Sequence, residues 1–160
     1  MTLANYELKL FNYFAIFVIF HQTGGIYVYS NLKGCDGERV YYDGASMIFV
    51  NTKMVAQGNQ FSIDEVEMVT ATVDLDDIYP ARNGASFGLQ VSRITKTYPK
   101  IKCDISLCHG DGLTTQISPV ISPTICKPEE EIANGPACWL WDYLRRSGCN
   151  GFFLPLSGGM

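Results

Sequence analysis

The chain has 160 residues, 12 Lys+Arg against 16 Asp+Glu for a formal charge of −4, and 47% hydrophobic residues. This is the composition of a folded soluble chain, with room for one domain and little for two complete ones, and it is far from that of a disordered chain. The acidic balance, with pI near 5.1, excludes nucleic acid or anionic membrane as the main partner, since both reward a concentrated positive surface.

The most apolar run is Leu10 to Phe20. It is too short for a membrane span, which needs about 20 residues. As the apolar part of a secretory leader it is also a poor fit: Glu7 stands where bases belong, the run is bulky and β-branched, and no small-x-small pattern precedes Gly24. Cysteines stand at 35, 103, 108, 126, 138 and 149. Without a leader or a dense framework they read as reduced thiols. Cys103, Cys108, His109 and Cys126 offer a nominal zinc set but lack the second short-spaced pair of a structural site.

From Gly24 the pattern turns to short strands separated by Gly, Asn and Asp: Ile26–Tyr29, Arg39–Tyr42, Ser46–Val50 and Val55–Gln57, with Asn51-Thr52-Lys53 as a hairpin connection. Glu65 to Leu75 adds a run in which Val66, Met68, Thr70 and Thr72 alternate with Glu67, Val69, Ala71 and Val73. Residues 25–77 therefore read as a β-rich piece of a larger α/β domain. Periodicity fades from Ile78 to Cys126, where Pro80, Pro99, Pro119 and Pro123 intervene. This is a long connector with one expected strand, Ile101 to Leu107.

Pro128 followed by three glutamates is a helix start, because the ring presets φ and the carboxylates face the positive end of the helix dipole. Gly135-Pro136 is expected to break this helix and open a second, with Ala137, Leu140, Trp141 and Leu144 on one face and Asp142, Arg145 and Arg146 elsewhere. Gly148 is the expected left-handed stop. Gly151 to Leu156 then reads as a buried parallel strand running into Ser157-Gly158-Gly159. Small residues there let phosphate approach successive N–H groups, although Ser-Gly-Gly alone is also a common flexible tail.

Two blocks narrow the reading. Residues 128–159, PEEEIANGPACWLWDYLRRS followed by GCNGFFLPLSGG, closely resemble the start of the synthetase domain of eukaryotic glutamine-dependent NAD synthetases. Gly24-Gly-Ile-Tyr-Val-Tyr, Lys33-Gly-Cys-Asp-Gly-Glu-Arg-Val-Tyr-Tyr-Asp-Gly44, Ala56-Gln-Gly-Asn-Gln-Phe61 and Val69-Thr-Ala-Thr-Val-Asp-Leu-Asp76 resemble the end of the nitrilase-like glutaminase domain of the same enzymes.

The resemblance implies an α/β fold, a partial nitrilase-like α-β-β-α sandwich followed by the first helix and strand of a parallel PP-loop domain. The expected division is a non-family segment at 1–23, the end of the glutaminase domain at 24–77, a divergent connector at 78–127 and the start of the synthetase domain at 128–160. It also implies the family reaction, in which ammonia released from glutamine by a Cys-Glu-Lys set amidates deamido-NAD with ATP and Mg²⁺, in a cytoplasmic homo-oligomer. Leu156, Ser157, Gly158 and Gly159 correspond to the first part of the pyrophosphate loop. In the family a hydrophobic residue and Asp-Ser follow; here Met160 takes the hydrophobic position and is the last residue given.

The family's catalytic cysteine, glutamate and lysine precede the block that begins at Gly24, so no catalytic residue and no metal ligand is assigned. Cys35, between Gly34 and Asp36, is the tempting nucleophile, but the sequence names no carboxylate or cation to activate it. The 160 residues are accordingly expected to be a fragment or short isoform inactive by itself. The alternatives are a non-catalytic module associating with full-length subunits and a stand-alone thiol amidase built on Cys35.

Overall fold

The computed structural model describes residues 24–37, 40–82, 88–89, 92–93, 99–106 and 115–158. The expectations for 1–23, Cys108, His109, Gly159 and Met160 lie outside the described residues.

Strands β1 (Ile26–Tyr29), β4 (Met47–Val50) and β5 (Lys53–Gln57) form an antiparallel sheet with β4 in the middle. Between β1 and β4, the short strands β2 (Lys33–Cys35) and β3 (Tyr41–Asp43) pair as a separate hairpin, Cys35 opposite Tyr41 and Lys33 opposite Asp43. The Asn51 turn closes the β4–β5 hairpin and also fixes its neighbours. Its N–H donates to the Gly25 carbonyl at 2.7 Å, its Oδ1 accepts the Gly25 N–H at 3.0 Å, and its Nδ2 donates to the Asp77 carbonyl.

All four residues of β4 are buried, so the sheet is covered on both faces. Successive side chains point to opposite sides. Met47 and Phe49 pack with Met54, Tyr27, Tyr29 and Ile121, while Ile48 and Val50 pack with Val55, Ile26, Ala56, Val69, Ala71 and Val73. The second cluster explains the alternation at 65–75. The expected strand there is absent, and the run is extended chain laid over the sheet, with Val69, Ala71 and Val73 inward and Val66, Met68, Thr70 and Thr72 outward. Period-two burial marks an extended segment with one face covered, and a ladder partner is a separate requirement. Close approach is possible because residue 58 is glycine: a Cβ there would stand 3.0 Å from both Glu67 Oε1 and Val69 Cγ2.

The later part of the connector is also tied to this body. The Ser118 N–H donates to the Thr72 carbonyl, Ile121 N–H to Met54 carbonyl, and Gln57 bonds Thr124 in both directions. The Gln60 amide bridges Asp43 Oδ2 and the Cys126 N–H, each at 2.7 Å. By contrast, no strand forms over 101–106; those residues are exposed, and Leu107 lies outside the described residues. After a 3-10 turn (Asp76–Ile78) and a short helix α1 (Tyr79–Arg82), the one long helix among the described residues is α2, Pro128–Ser147.

Glu130 Oε2 accepts the Lys127 N–H at 2.8 Å, Pro128 is the first helical residue, and Gly148 ends the helix with φ at 67°. The expected break at Gly135-Pro136 does not occur. Pro136 removes one intrahelical N–H donor, and glycine at 135 lacks the Cβ that would add to the clash with the proline ring. The expected inner face is corrected as well. Cys138 is the buried residue and Asp142 is half-buried on the same side, whereas Leu140 and Trp141 are exposed.

Gly151–Leu156 is not a strand, and Phe153 is 92% and Leu156 88% exposed. No described segment pairs with it, and an apolar run without a ladder partner gains neither backbone bonds nor cover. The fold is thus α/β, with antiparallel three- and two-stranded sheets and one long helix; the expected parallel strand is not present among the described residues.

Candidate functional site

The β2–β3 hairpin, the 62–65 loop and the last turns of α2 enclose a hollow of about 130 Å³, lined by Lys33, Tyr41, Ser62, Asp64, Asp142 and Arg145 among others. Strand alternation puts Lys33 and Cys35 on one side of β2, but their partners differ. Lys33 Nζ donates to the Asp64 carbonyl and lies 3.8 Å from Glu67. Both signs of charge line the hollow, so it presents no concentrated field to an anion.

Cys35 is 4% exposed, and its Sγ accepts the Gly37 N–H at 3.2 Å. The carboxylate closest in the bonding pattern, Asp142, accepts the backbone N–H of Cys35 at 3.0 Å and leaves the thiol alone. A nucleophilic thiol must be reachable and activated, and the Cys35 thiol is buried, with no base bonded to it among the described residues.

Across the hairpin, the Tyr41 phenol is pushed well above its ordinary range. Burial is the largest cause, followed by a hydrogen bond with Cys138 and by the negative surroundings of Cys138, Asp142 and Asp43. Because the folded value lies above the ordinary 10.0, the contribution to stability is intact below that pH and is lost as pH rises through the folded value. Urea midpoints of the parent chain and Tyr41→Phe, compared between about pH 8 and 12, are expected to converge above pH 10.0. A constant gap would contradict this account of Tyr41.

A second hollow, of about 340 Å³, opens beside the β4–β5 turn. Val50, Val55, Val73, Ile117 and Val120 make its apolar part, with Lys53, Asp74 and Asp77 among its polar lining. Of the sequence-assigned loop residues, Leu156, Ser157 and Gly158 line neither hollow. Leu156, Ser157 and Gly158 are exposed and outside any helix or strand, and a Cβ at Gly158 would meet no atom within 4 Å. Gly159 lies outside the described residues.

Among the described residues no group of three or more His, Cys, Asp or Glu is placed to hold a metal ion. Cys103 is exposed and Cys126 intermediate, while Cys108 and His109 are undescribed. No described helix is long and apolar enough to cross a membrane.

Sequence reasoning missed three side chains that organise this region. Asp142 anchors the helix to β2, and Gln57 and Gln60 hold the connector. The available signal was the Gln-Gly-Asn-Gln cluster directly after a strand, since a primary amide donates and accepts at once and can bond an unpaired backbone from both ends.

No protein-family profile matches the chain. Curated relatives do. The chain is 51% identical over 138 residues to the glutamine-dependent NAD(+) synthetase of Dictyostelium discoideum, covering 86% of this chain and 19% of that protein. The enzyme of the same name from Homo sapiens is 51% identical over 140 residues, and that from Saccharomyces cerevisiae 49% over 146; each match covers 87% of this chain and 20% of the relative. The similarity is wider than the two motif blocks and takes in much of the stretch between them. The chain spans about a fifth of the length of the relatives it matches. Over most of its own length, this chain is a homologue of one segment of the glutamine-dependent NAD(+) synthetases.

Proposed function

We propose that residues 24–160 form the junction between the two catalytic parts of a glutamine-dependent NAD synthetase. Residues 24–77 are the end of a nitrilase-like glutaminase domain, 78–127 the connector and 128–160 the start of a PP-loop synthetase domain. The reaction served is the ATP-dependent amidation of deamido-NAD by ammonia from glutamine, in a cytoplasmic homo-oligomer. The observation that carries this reading is near-half identity to those enzymes along 86–87% of the chain, with the two motif blocks in their family order.

In this reading Leu156, Ser157, Gly158 and Gly159 begin the loop that receives the pyrophosphate of ATP. Ser157 and Gly158 fit that task as far as they go: both are small and exposed, and the space beside the Gly158 α-carbon is open. They would supply a hydroxyl and peptide N–H groups to phosphate oxygens. Residues 151–158 contain no carboxylate, so a Mg²⁺ ion, which favours oxygen ligands and phosphate, would take its protein ligands from elsewhere. When bound, the ion would neutralise charge developing on the phosphates.

A second reading, a non-catalytic module that associates with full-length subunits, is favoured by the exposed Ile132, Leu140, Trp141 and Phe153. Uncovered apolar surface of this kind marks a contact face. Assayed alone, the 160 residues are expected neither to release ammonia from glutamine nor to form NAD from deamido-NAD, ATP and ammonia. The resemblance puts the Cys-Glu-Lys set before Gly24, and the Cys35 thiol is buried. Glutamine hydrolysis abolished by Cys35→Ala would overturn that expectation in favour of a thiol amidase. Co-purification with a full-length subunit, lost on deleting 128–160, would support the second reading.

A further inference from the structure

Helix α2 meets the rest of the chain along a narrow strip. Of its twenty residues only Cys138 is buried. The Cys35 N–H donates to Asp142 Oδ2 at 3.0 Å, and the Cys138 thiol donates to the Phe61 carbonyl at 3.1 Å. The large side chains Ile132, Leu140, Trp141 and Tyr143 remain exposed. With one buried residue, Trp139 and Leu144 only half-buried, and the Tyr41 phenol bonded to Cys138, this contact belongs among the parts of a fold that open locally before the core does.

The chain leading into α2 is held differently. Thr124 and Cys126 are bonded to Gln57 and Gln60, and these bonds end one residue before Lys127, which turns extended at ψ 156° into the helix. A firm anchor, a single turning residue and a weakly attached rod make a hinge.

The hairpin is also shaped to receive the rod. Asp142 and Arg146 lie four residues apart and therefore share a helix face. Their polar ends approach Gly34 and Gly37: a Cβ at Gly34 would stand 3.2 Å from Asp142 Oδ2, and one at Gly37 would stand 3.3 Å from an Arg146 guanidinium nitrogen.

We infer that α2 is a hinged arm. It detaches from the β2–β3 hairpin as a unit, pivoting at Lys127, and Asp142 on the Cys35 N–H is the latch that keeps it closed. Opening uncovers Cys138 and moves the exposed Phe152–Leu156 segment relative to the sheet. The inference is made for the 160-residue chain by itself, since the functional reading above would cover the exposed side chains of α2 with further parts of an enzyme.

Native-state alkylation of Cys138 in the 160-residue chain, read by peptide mass mapping alongside amide exchange in β4, tests it. Cys138 is expected to react faster than β4 opens. Asp142→Ala removes a hydrogen bond to a charged acceptor and is expected to raise the Cys138 rate about tenfold or more with β4 exchange unchanged. Gly34→Ala, which crowds the same carboxylate and also strains β2 at φ 110°, is expected to raise the Cys138 rate as well. If Cys138 reacts only as fast as β4 opens, or if Asp142→Ala speeds the two processes equally, helix and sheet open together and the hinge is overturned. An unchanged Cys138 rate in Asp142→Ala would overturn the latch.

Discussion

Replacing Phe49 by Ala is expected to destabilise the 160-residue chain by about 3–5 kcal/mol, a large part of the roughly 5–15 kcal/mol that holds a domain folded. Phe49 is 6% exposed at the centre of the middle strand, where Met47, Met54, Tyr27, Tyr29 and Ile121 surround it. Its ring lies 6.4 Å from that of Tyr27, so the substitution removes an aromatic pair as well as buried area. Ile121 belongs to the connector, whose backbone bonds Met54 next to this cluster. A cavity at 49 therefore loosens the connector's hold along with the sheet. Phe153→Ala removes the same side chain from a position 92% exposed and is expected to change stability by no more than about 0.5 kcal/mol. Urea unfolding of the two variants, compared by midpoint at constant slope, checks both expectations. A Phe153→Ala loss equal to that of Phe49→Ala would mean that 151–158 is packed.

Particular segments explain which parts of the fold were legible in the sequence. Strands β1, β4 and β5 were readable because short β-branched and aromatic runs bounded by Asn and Gly have few other ways to fold. The 65–75 run had the correct period and the wrong meaning. Val69, Ala71 and Val73 alternate because one side of an extended chain is covered, and alternation does not reveal whether a neighbouring backbone supplies a ladder. Strand β2 escaped because Lys33-Gly-Cys35 has no apolar pattern; its pairing with Tyr41–Asp43 is a tertiary matter.

The inner face of α2 was misread for a related reason. Hydrophobic periodicity assumes that the apolar stripe faces the body, yet here Gly135, Cys138 and Asp142 approach the hairpin and the loop at Phe61 while Leu140 and Trp141 point outward. A carboxylate accepting a backbone N–H carries no signature in a helical wheel. The helix ends were legible, since Pro128, the glutamates and Gly148 act through local backbone chemistry. The Gly135-Pro136 break was not, because glycine before proline lacks the Cβ that adds to the clash, and residue type does not show whether the remaining strain is absorbed. The same distinction holds for the candidate site. Ser157 and Gly158 were picked out by residue type and resemblance, whereas Asp142, Gln57 and Gln60 each bond a backbone group more than sixty residues away in sequence.

The largest expected effect on activity concerns the junction itself. If residues 24–160 are the joint between a glutaminase and a synthetase domain, they are interchangeable with the matching segment of a whole enzyme. The substitutions between them, about half of the aligned positions in the Saccharomyces cerevisiae relative, must then be tolerated by both neighbours. The buried faces of β4, the Gln57 and Gln60 contacts to the connector and the Ser157-Gly158 segment are the parts that have to match. An alien segment of similar composition would fail at the first two by misfolding and at the last by losing ATP-dependent turnover. The direct measurement is NAD formation by a full-length Saccharomyces cerevisiae enzyme whose matching segment is replaced by this chain's residues, assayed with deamido-NAD and ATP and with either glutamine or ammonia as nitrogen donor. The account predicts NAD formation with both donors; a folded chimera that forms no NAD with either would contradict it.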